Sequence, residues 1–449
     1  MVSADNLNLD VLELICSYLS GNDLPSVALV SKSFLAGVIP RLYHTISYRI
    51  RQQKGYETGE TMSPFASVIT HPHLAVHVRN IEIRVVPIVK SCLHPVFVRE
   101  CREALKICKN LQVFKCTVAN AVAILLPSLA HKTRLQEATL YANLTTDQAA
   151  MLHKLEKLES LTIEFASWNV VDIMPAWTGS LTKTLTSLAL YMINELHEDI
   201  LKSILTNLPN LRGLHVVGCP KADHTVIFRQ IVHTPLVETL SLTTSENTAP
   251  LTFPSPPMRH LKHLAFDTRY SMQPSPSPAI LGSILAHIRL SAPPLQSFTI
   301  KLPERKVVVG DPFISQLVEH YGSTLRRLSF LDCGVSQESI AEICKNCVNL
   351  QRLDVSIPMK ELLPFTRNLS LSKTLHTIVD VDNHVDHGMR PTLKQENVRY
   401  MMSVGSNLRK VVSNHRIWTG RLDPVQGVVV TLEKRRSHSY GSLWFMPRD

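Results

Sequence analysis

Apolar residues recur along most of the chain in the spacing Leu-x-x-Leu-x-Leu, in which one residue separates the last two apolar positions. Such an alternation is typical of a short β-strand with one buried face. Between these segments, apolar residues fall at helical spacing, as in Ile340, Ile343, Cys344 and Cys347. Each unit is therefore predicted to be a strand, a turn and a helix. Twelve segments follow the template, the last two in degraded form, and their first positions are residues 111, 135, 158, 185, 211, 237, 261, 295, 325, 350, 375 and 408.

The average step between the segments is about 27 residues, within the roughly 20 to 29 residues of a leucine-rich repeat. Neither face of such a unit can be buried without the next unit, so the units must stack. We therefore predict an α/β fold in which a curved solenoid runs from about residue 75 to about residue 420, with parallel strands on its concave face and helices on its convex face. Two longer steps coincide with the turn-rich segments 273–278 and 380–388, which are predicted to be insertion loops.

Composition narrows the class of protein. The chain has 449 residues, of which 45% are hydrophobic and 19% charged, as in an ordinary folded protein. Its net charge of +10 is too dilute for a dedicated nucleic-acid binder. The N-terminus lacks the pattern of a secretory signal, and the longest apolar stretch, of about 14 residues, is shorter than the roughly 20 of a membrane span. The nine scattered cysteines are expected to be reduced thiols, and a cytoplasmic or nuclear location is expected.

The N-terminal segment does not follow the repeat spacing. Apolar residues from Leu7 to Leu19 form a stripe, the segment 20–22 breaks the helix, and two more helices are predicted from Leu24 and from Ser31. A bundle of roughly 40 residues makes a poor core of its own. It would leave apolar surface uncovered, which indicates a partner site.

The residues of this segment carry a resemblance to a known family. The sequence LNLDVLELICSYLSGNDLPSVALVSKSF, from Leu7 to Phe34, followed by Leu42 and Tyr43, resembles an F-box. Asn8 and Asp10 depart from the proline and glutamate that are usual there, and losing the proline could loosen the first turn. F-box proteins are substrate receptors of Skp-cullin-F-box ubiquitin ligases, non-catalytic subunits whose F-box docks on a Skp-type adaptor and through it on a cullin, while the repeats bind the protein target. By position, the resemblance assigns the adaptor-facing surface to Leu7, Val11, Leu12, Ile15, Leu19, Leu24, Val30 and Phe34.

The chain is thus predicted to comprise an F-box-like module (1–46), a linker (47–74), the solenoid (75–420) and a C-terminal tail or cap (421–449). Side chains alternate along a strand, so the residues flanking the last two apolar positions point to the concave face. Among them, the predicted target-binding residues are Tyr191, His215, Lys301, Arg327, Arg352 and Lys410. The basic ones could receive an acidic or phosphorylated segment, or they could be ordinary solvated charges.

No sequence motif indicates catalysis, a cofactor or a metal. Glycine-rich phosphate loops, a Gly-x-Ser-x-Gly elbow and a His-Glu-x-x-His motif are absent from the sequence. Cys344 and Cys347 have zinc-like spacing without a second pair nearby, and the cluster from Asp380 to His387 lacks the glycine of a calcium loop. The chain is expected to act by binding alone. The alternative is a leucine-rich interaction scaffold with no link to ubiquitin, whose N-terminal helices merely cap the solenoid.

Overall fold

A computed structural model describes residues 8–19, 21, 23–48, 63–244, 251, 258–268, 278–302, 308–381, 393–405, 407–413, 416–425, 427–434 and 443–447. Leu7 and most of the two predicted insertion loops lie outside these residues. The chain forms two compact units, Met1–Glu195 and Leu196–Asp449.

The first unit begins with three helices and continues as a parallel sheet with helices between its strands. Its helices are α1 (Leu9–Ser17), α2 (Asp23–Ala28), α3 (Lys32–Leu42), α4 (Pro64–Thr70), α5 (Pro95–Ile107), α6 (Ala121–Leu129), α7 (Thr146–Ala150) and α8 (Trp168–Ser180), with 3-10 turns at Pro72–His77 and Met151–Lys154. Its strands are β1 (Thr45–Tyr48), β2 (Asn80–Ile83), β3 (Ile88–Val89), β4 (Cys92–Leu93), β5 (Val113–Cys116), β6 (Glu137–Tyr141), β7 (Ser160–Glu164) and β8 (Ser187–Tyr191). The sheet order β1-β2-β5-β6-β7-β8 follows the chain, and β3 and β4 form a separate hairpin.

The second unit repeats the same architecture and ends in an antiparallel hairpin. Its helices are α9 (Glu198–Thr206), α10 (His224–Gln230), α11 (Pro278–Arg289), α12 (Asp311–Tyr321), α13 (Gln337–Asn346), α14 (Leu362–Leu369) and α15 (Gln395–Val404), with 3-10 turns at Ile231–His233 and Met359–Glu361. Its strands are β9 (Gly213–Val217), β10 (Thr239–Thr243), β11 (His263–Asp267), β12 (Ser297–Lys301), β13 (Arg327–Leu331), β14 (Arg352–Val355), β15 (Thr377–Asp380), β16 (Lys410–Ser413), β17 (Arg416–Asp423) and β18 (Gly427–Lys434). Strands β9 to β16 are parallel, and β17 and β18 pair antiparallel at the end.

The predicted repeat frame is confirmed strand by strand. Each of the twelve predicted segments carries a strand that begins two residues after its first apolar position, from Val113 to Lys410. Equivalent residues stand opposite each other across the sheet, as Leu161 does to Leu188. Because both side chains are fully buried, successive repeats bury each other's leucines in continuous columns. The α/β repeat solenoid predicted from the sequence is therefore the fold of each unit.

Two strands that precede the predicted frame extend the first sheet. Strand β1 pairs in parallel with β2, and β2 pairs with β5. Val78, Ile81 and Ile83 have the same spacing as the apolar residues of the later repeats and are equally buried. Because none of the three is leucine, the leucine template did not identify this repeat. Strand β1 follows α3 after two residues, so the N-terminal helices join the sheet directly.

The three N-terminal helices close on a small core. Cys16, Leu24 and Val38 are buried together, with Leu19 and Leu42 packed against them. The third helix extends to Leu42 and contains Pro40. Gly37 permits the close approach of α1 and α3, since a Cβ atom built there would lie 2.8 Å from Cβ of Leu12.

Substitution of Gly37 tests this packing. Gly37→Leu should force α1 and α3 apart and destabilise the module by about 2 kcal/mol, as overpacking of a tight contact does. Amide hydrogen exchange of α1 measures the effect as faster local exchange. Ala36→Leu, at an exposed position of the same helix, is the matched control and should leave α1 protected. Equal protection of α1 in both variants would contradict the packing described.

Candidate functional site

The N-terminal helices expose an apolar face on α1. Val11, Leu14, Ile15 and Tyr18 are 41%, 60%, 44% and 83% exposed. Their spacing of i, i+3, i+4 and i+7 places them on one side of the helix, here named the α1 face. Further exposed apolar side chains lie just after α2, at Leu29 and Val30, and in α3, at Leu35.

The structure divides the predicted adaptor residues into two groups. Val11, Ile15 and Val30 are exposed, whereas Leu12 and Leu24 are buried among the helices. Leu19 and Phe34 are partly buried, and Leu7 lies outside the described residues. Leu14, Tyr18 and Leu29 are exposed apolar residues that the prediction did not include. Helix α1 is apolar on more than one side, so its sequence could not show which stripe faces the core.

Helices α1 and α3 both begin with a side-chain cap. Asn8 Oδ1 accepts a hydrogen bond from the Asp10 backbone amide at 3.4 Å, and Ser31 Oγ accepts one from the Phe34 amide at 3.3 Å. Asn is among the favoured residues at a helix N-cap. Asn8, in place of the proline usual in an F-box, therefore still defines the first turn of α1.

An aromatic cluster lies at the ends of the strands of the first unit. The ring of Phe165 stacks on Tyr141 at a centroid distance of 5.1 Å and meets Tyr191 edge-on at 6.0 Å. Tyr191, a predicted target-binding residue, is 8% exposed, while Phe165 is 38% exposed. Phe165 is thus the most exposed residue of this cluster, and it has a left-handed backbone conformation with φ of 52°.

The predicted basic strip of the second unit carries its own counter-charges. Arg352 Nε lies 2.7 Å from Asp354 Oδ1, and Arg327 Nη2 lies 3.3 Å from Asp354 Oδ2. Lys301 Nζ lies 3.2 Å from a carboxylate oxygen of Asp332. The three cations thus face two carboxylates, and most of the positive charge is compensated. Lys410, the remaining predicted cation, is exposed on β16.

His215 lies beneath a segment from the end of the chain. Trp444 and Phe445 are only 6% and 3% exposed, and the rings of Phe445 and His215 are 5.7 Å apart. Lys301 Nζ stands 5.4 Å from the centroid of the Trp444 ring, within the range of a cation–π contact. The segment Leu443–Pro447, named here the C-terminal segment, therefore occupies part of the predicted target-binding face.

A chain of hydrogen bonds joins His215 to this segment. The Ser241 hydroxyl donates to the Phe445 carbonyl at 3.0 Å. Ser241 Oγ also lies 2.7 Å from His215 Nδ1. Because the hydroxyl has a single proton, Nδ1 must be the donor in that contact, and Nε2 is left to accept from Thr239 Oγ1 at 3.4 Å. Burial lowers the pKa of His215 to about 3, with a further contribution from nearby His263. The imidazole is therefore neutral at physiological pH.

The described residues contain no group of three or more His, Cys, Asp and Glu side chains that could hold a metal ion. Cys344 and Cys347 are buried, and burial raises the pKa of each thiol to about 12. Both therefore act as small core residues. All nine cysteines are free thiols. Within the described part of the chain, no helix combines the length and the hydropathy needed to cross a bilayer.

The sequence matches no protein-family model and no curated protein. Among solved structures, a chain in the crystal structure of the Rad7 and Elc1 complex in yeast is similar to this chain, with 14% sequence identity and a TM-score of 0.46. The alignment covers 78% of this chain and 88% of that chain.

The neutral state of His215 predicts a pH dependence. Its pKa is lowered on folding, so between about pH 3 and pH 6.5 the unfolded chain binds the proton more tightly and stability rises with pH. From pH 7 to pH 5, His215 should account for a loss of up to about 2 kcal/mol. His215→Gln should reduce this loss in urea unfolding curves at the two pH values. Equal pH slopes for the His215 variant and the parent would contradict the assignment.

Asp354 should be the charge on which the basic strip depends. It is 1% exposed and accepts hydrogen bonds from Arg327, Arg352 and Ser329. Asp354→Asn leaves two arginines facing each other and should cost about 2 kcal/mol, less than the loss from a fully buried pair because both arginines are partly exposed. Asp332→Asn removes the carboxylate that pairs with Lys301. Because Asp332 is more exposed than Asp354, this change should cost less than about 1 kcal/mol. Urea unfolding compares the two, and equal losses would contradict the central role of Asp354.

Proposed function

We propose that the chain is a substrate receptor of a Skp-cullin-F-box type ubiquitin ligase. In this proposal the N-terminal helices dock on a Skp-type adaptor and the repeat sheets bind the protein to be ubiquitinated. The observation that carries the proposal is the exposed α1 face, which lies within the segment that resembles an F-box. The chain itself performs no chemistry, because a receptor needs only to hold a target near the ubiquitin-charged enzyme.

The exposure of the α1 face supports a docking role. Soluble proteins rarely leave several large apolar side chains uncovered on one side of a helix unless another molecule covers them. The small core of Cys16, Leu24 and Val38 holds the three helices together without the α1 face. Val11, Leu14, Ile15 and Tyr18 are therefore available to a partner, and Tyr18 has the aromatic character enriched at interface hot spots.

The direct junction of module and sheet also fits this role. Strand β1 starts two residues after α3, and Tyr48 on β1 packs in an aromatic core with Phe65 and Phe97 at centroid distances of 6.4 Å and 4.8 Å. All three rings are fully buried. A docked module would thus hold the first repeats in a fixed orientation, which is what a receptor needs in order to present a target.

The same junction is the observation that favours the second candidate function. In a leucine-rich scaffold without a link to ubiquitin, the helices would serve to cover the first strand of the sheet. The two functions differ in one respect that can be measured. A capping role needs only the buried residues of the module, whereas a receptor also needs the α1 face.

Adaptor binding by surface variants tests the proposal. Val11→Asp combined with Ile15→Asp should weaken binding of a purified Skp-type adaptor by about tenfold or more, since two apolar contacts are replaced by charges. Both positions are exposed in the free chain, so the variant should fold. Calorimetric titration of the adaptor into each full-length chain measures the affinity.

The matched control is Val348→Asp combined with Leu363→Asp, which changes two exposed apolar residues of the second unit. It should bind the adaptor with unchanged affinity. If the parent chain does not bind the adaptor, or if the Val11 and Ile15 variant binds as the parent does, the receptor proposal fails and the scaffold remains.

A further inference from the structure

The sheet of the second unit has a trough across its open face. Ser241, Ala265 and Thr299 occupy the middle positions of β10, β11 and β12, and they stand opposite one another in register. All three side chains are small, whereas neighbouring cationic side chains such as Lys301 are longer. The trough is therefore a shallow channel that crosses three strands at right angles to them, with His215 at one side and Lys301 near its wall.

The C-terminal segment lies over this trough as a bound peptide would. A cavity of 170 Å³ is lined by His215, Ala265 and Thr299 of the sheet together with Trp444 and Phe445 of the segment. The low exposure of Trp444 and Phe445 equals that of core residues, although the sheet beneath them is mainly polar. Large aromatic side chains become buried on such a surface when its shape and polar groups fit them.

The polar groups of the trough match a peptide backbone and an aromatic ring. Ser241 donates to a main-chain carbonyl, that of Phe445, and is itself held by His215. Lys301 stands against the Trp444 ring and is oriented by Asp332. The contact from Ser241 is independent of the side chain of the bound peptide, whereas the contact from Lys301 needs an aromatic residue. The trough thus combines recognition of any peptide backbone with recognition of an aromatic side chain.

We propose that the trough is a recognition site for linear peptides that carry two adjacent aromatic residues, and that the C-terminal segment occupies it as an internal ligand. The inference deepens the proposed function, on which it rests for the view that the peptide belongs to a ubiquitination target. The binding site itself requires no adaptor. A target peptide gains access by displacing Trp444 and Phe445.

A free peptide must compete with the C-terminal segment for the trough. A tethered segment competes at an effective concentration of about a millimolar, so an identical free peptide added at micromolar concentration should bind the intact chain poorly. Removing the two rings from the segment should open the trough. In the intact chain, a target must either bind more tightly than the C-terminal segment or present its aromatic pair at high local concentration.

The test uses the full-length chain and a fluorescein-labelled peptide of residues 439–449 as the probe. Trp444→Ala combined with Phe445→Ala should bind the probe about 10-fold to 100-fold more tightly than the intact chain, as expected from release of a tethered competitor. Fluorescence anisotropy measures the affinity. The matched probe, in which the residues corresponding to Trp444 and Phe445 are alanine, should bind neither chain.

A substitution within the trough locates the binding site. Ala265→Leu, added to the double variant, should abolish probe binding because the new side chain fills the channel. Trp444→Ala alone keeps the Phe445 ring against His215, and it should give a smaller gain in affinity. This single variant replaces the double variant if the latter does not fold, as judged by its circular dichroism and melting temperature.

The proposal is overturned if a folded tail variant binds the probe no better than the intact chain does. Equal binding of the alanine probe, or probe binding that survives Ala265→Leu, also overturns it. None of these results depends on the adaptor. A failure here is therefore distinguishable from a failure of the receptor proposal, which the adaptor titration decides independently.

Discussion

The structure depends on one constraint, namely that a repeat can bury its apolar strand residues only against the next repeat. Leu161, Leu188 and Leu190 are almost fully buried, yet the two strands that carry them have only five residues each. Such a strand cannot form a core alone, so parallel neighbours in matched register must supply the other half. This requirement fixes the spacing of the leucines, the order of the strands and the side on which helices lie.

The same constraint leaves the other face of each strand available for function. Its middle positions need not pack against helices, so Ser241, Ala265 and Thr299 can form a trough, while Arg327, Arg352 and Asp354 can form a compensated charge cluster. At the N-terminal end, β1 follows α3 after two residues, and the small core of the three helices leaves the α1 face exposed. The proposed docking surface and the proposed recognition site thus lie on different elements of the chain.

The sequence predicted the framework better than the sites. Strand positions followed from the leucine spacing, because burial with a period of two is a local property. Strands β1 and β2, whose key positions hold isoleucine, valine and tyrosine, were not predicted, and neither were the hairpins β3–β4 and β17–β18. Side-chain pairing was not predictable in the same way. Whether Leu12 or Val11 faces a partner depends on where α3 packs, and the contact of Ser241 with Phe445 joins residues 204 positions apart. In the sequence, the feature that could have indicated this contact was the adjacent aromatic pair Trp444 and Phe445 within a polar segment.

We propose that the N-terminal helices, and not the sheets, form the adaptor surface. Hydrogen–deuterium exchange of the full-length chain, with and without a purified Skp-type adaptor, tests it most directly. The account predicts that the adaptor slows exchange in the helices from Leu9 to Leu42 and leaves the strands from β5 to β16 unchanged. Slower exchange confined to those strands, or no change anywhere in the chain, would contradict it.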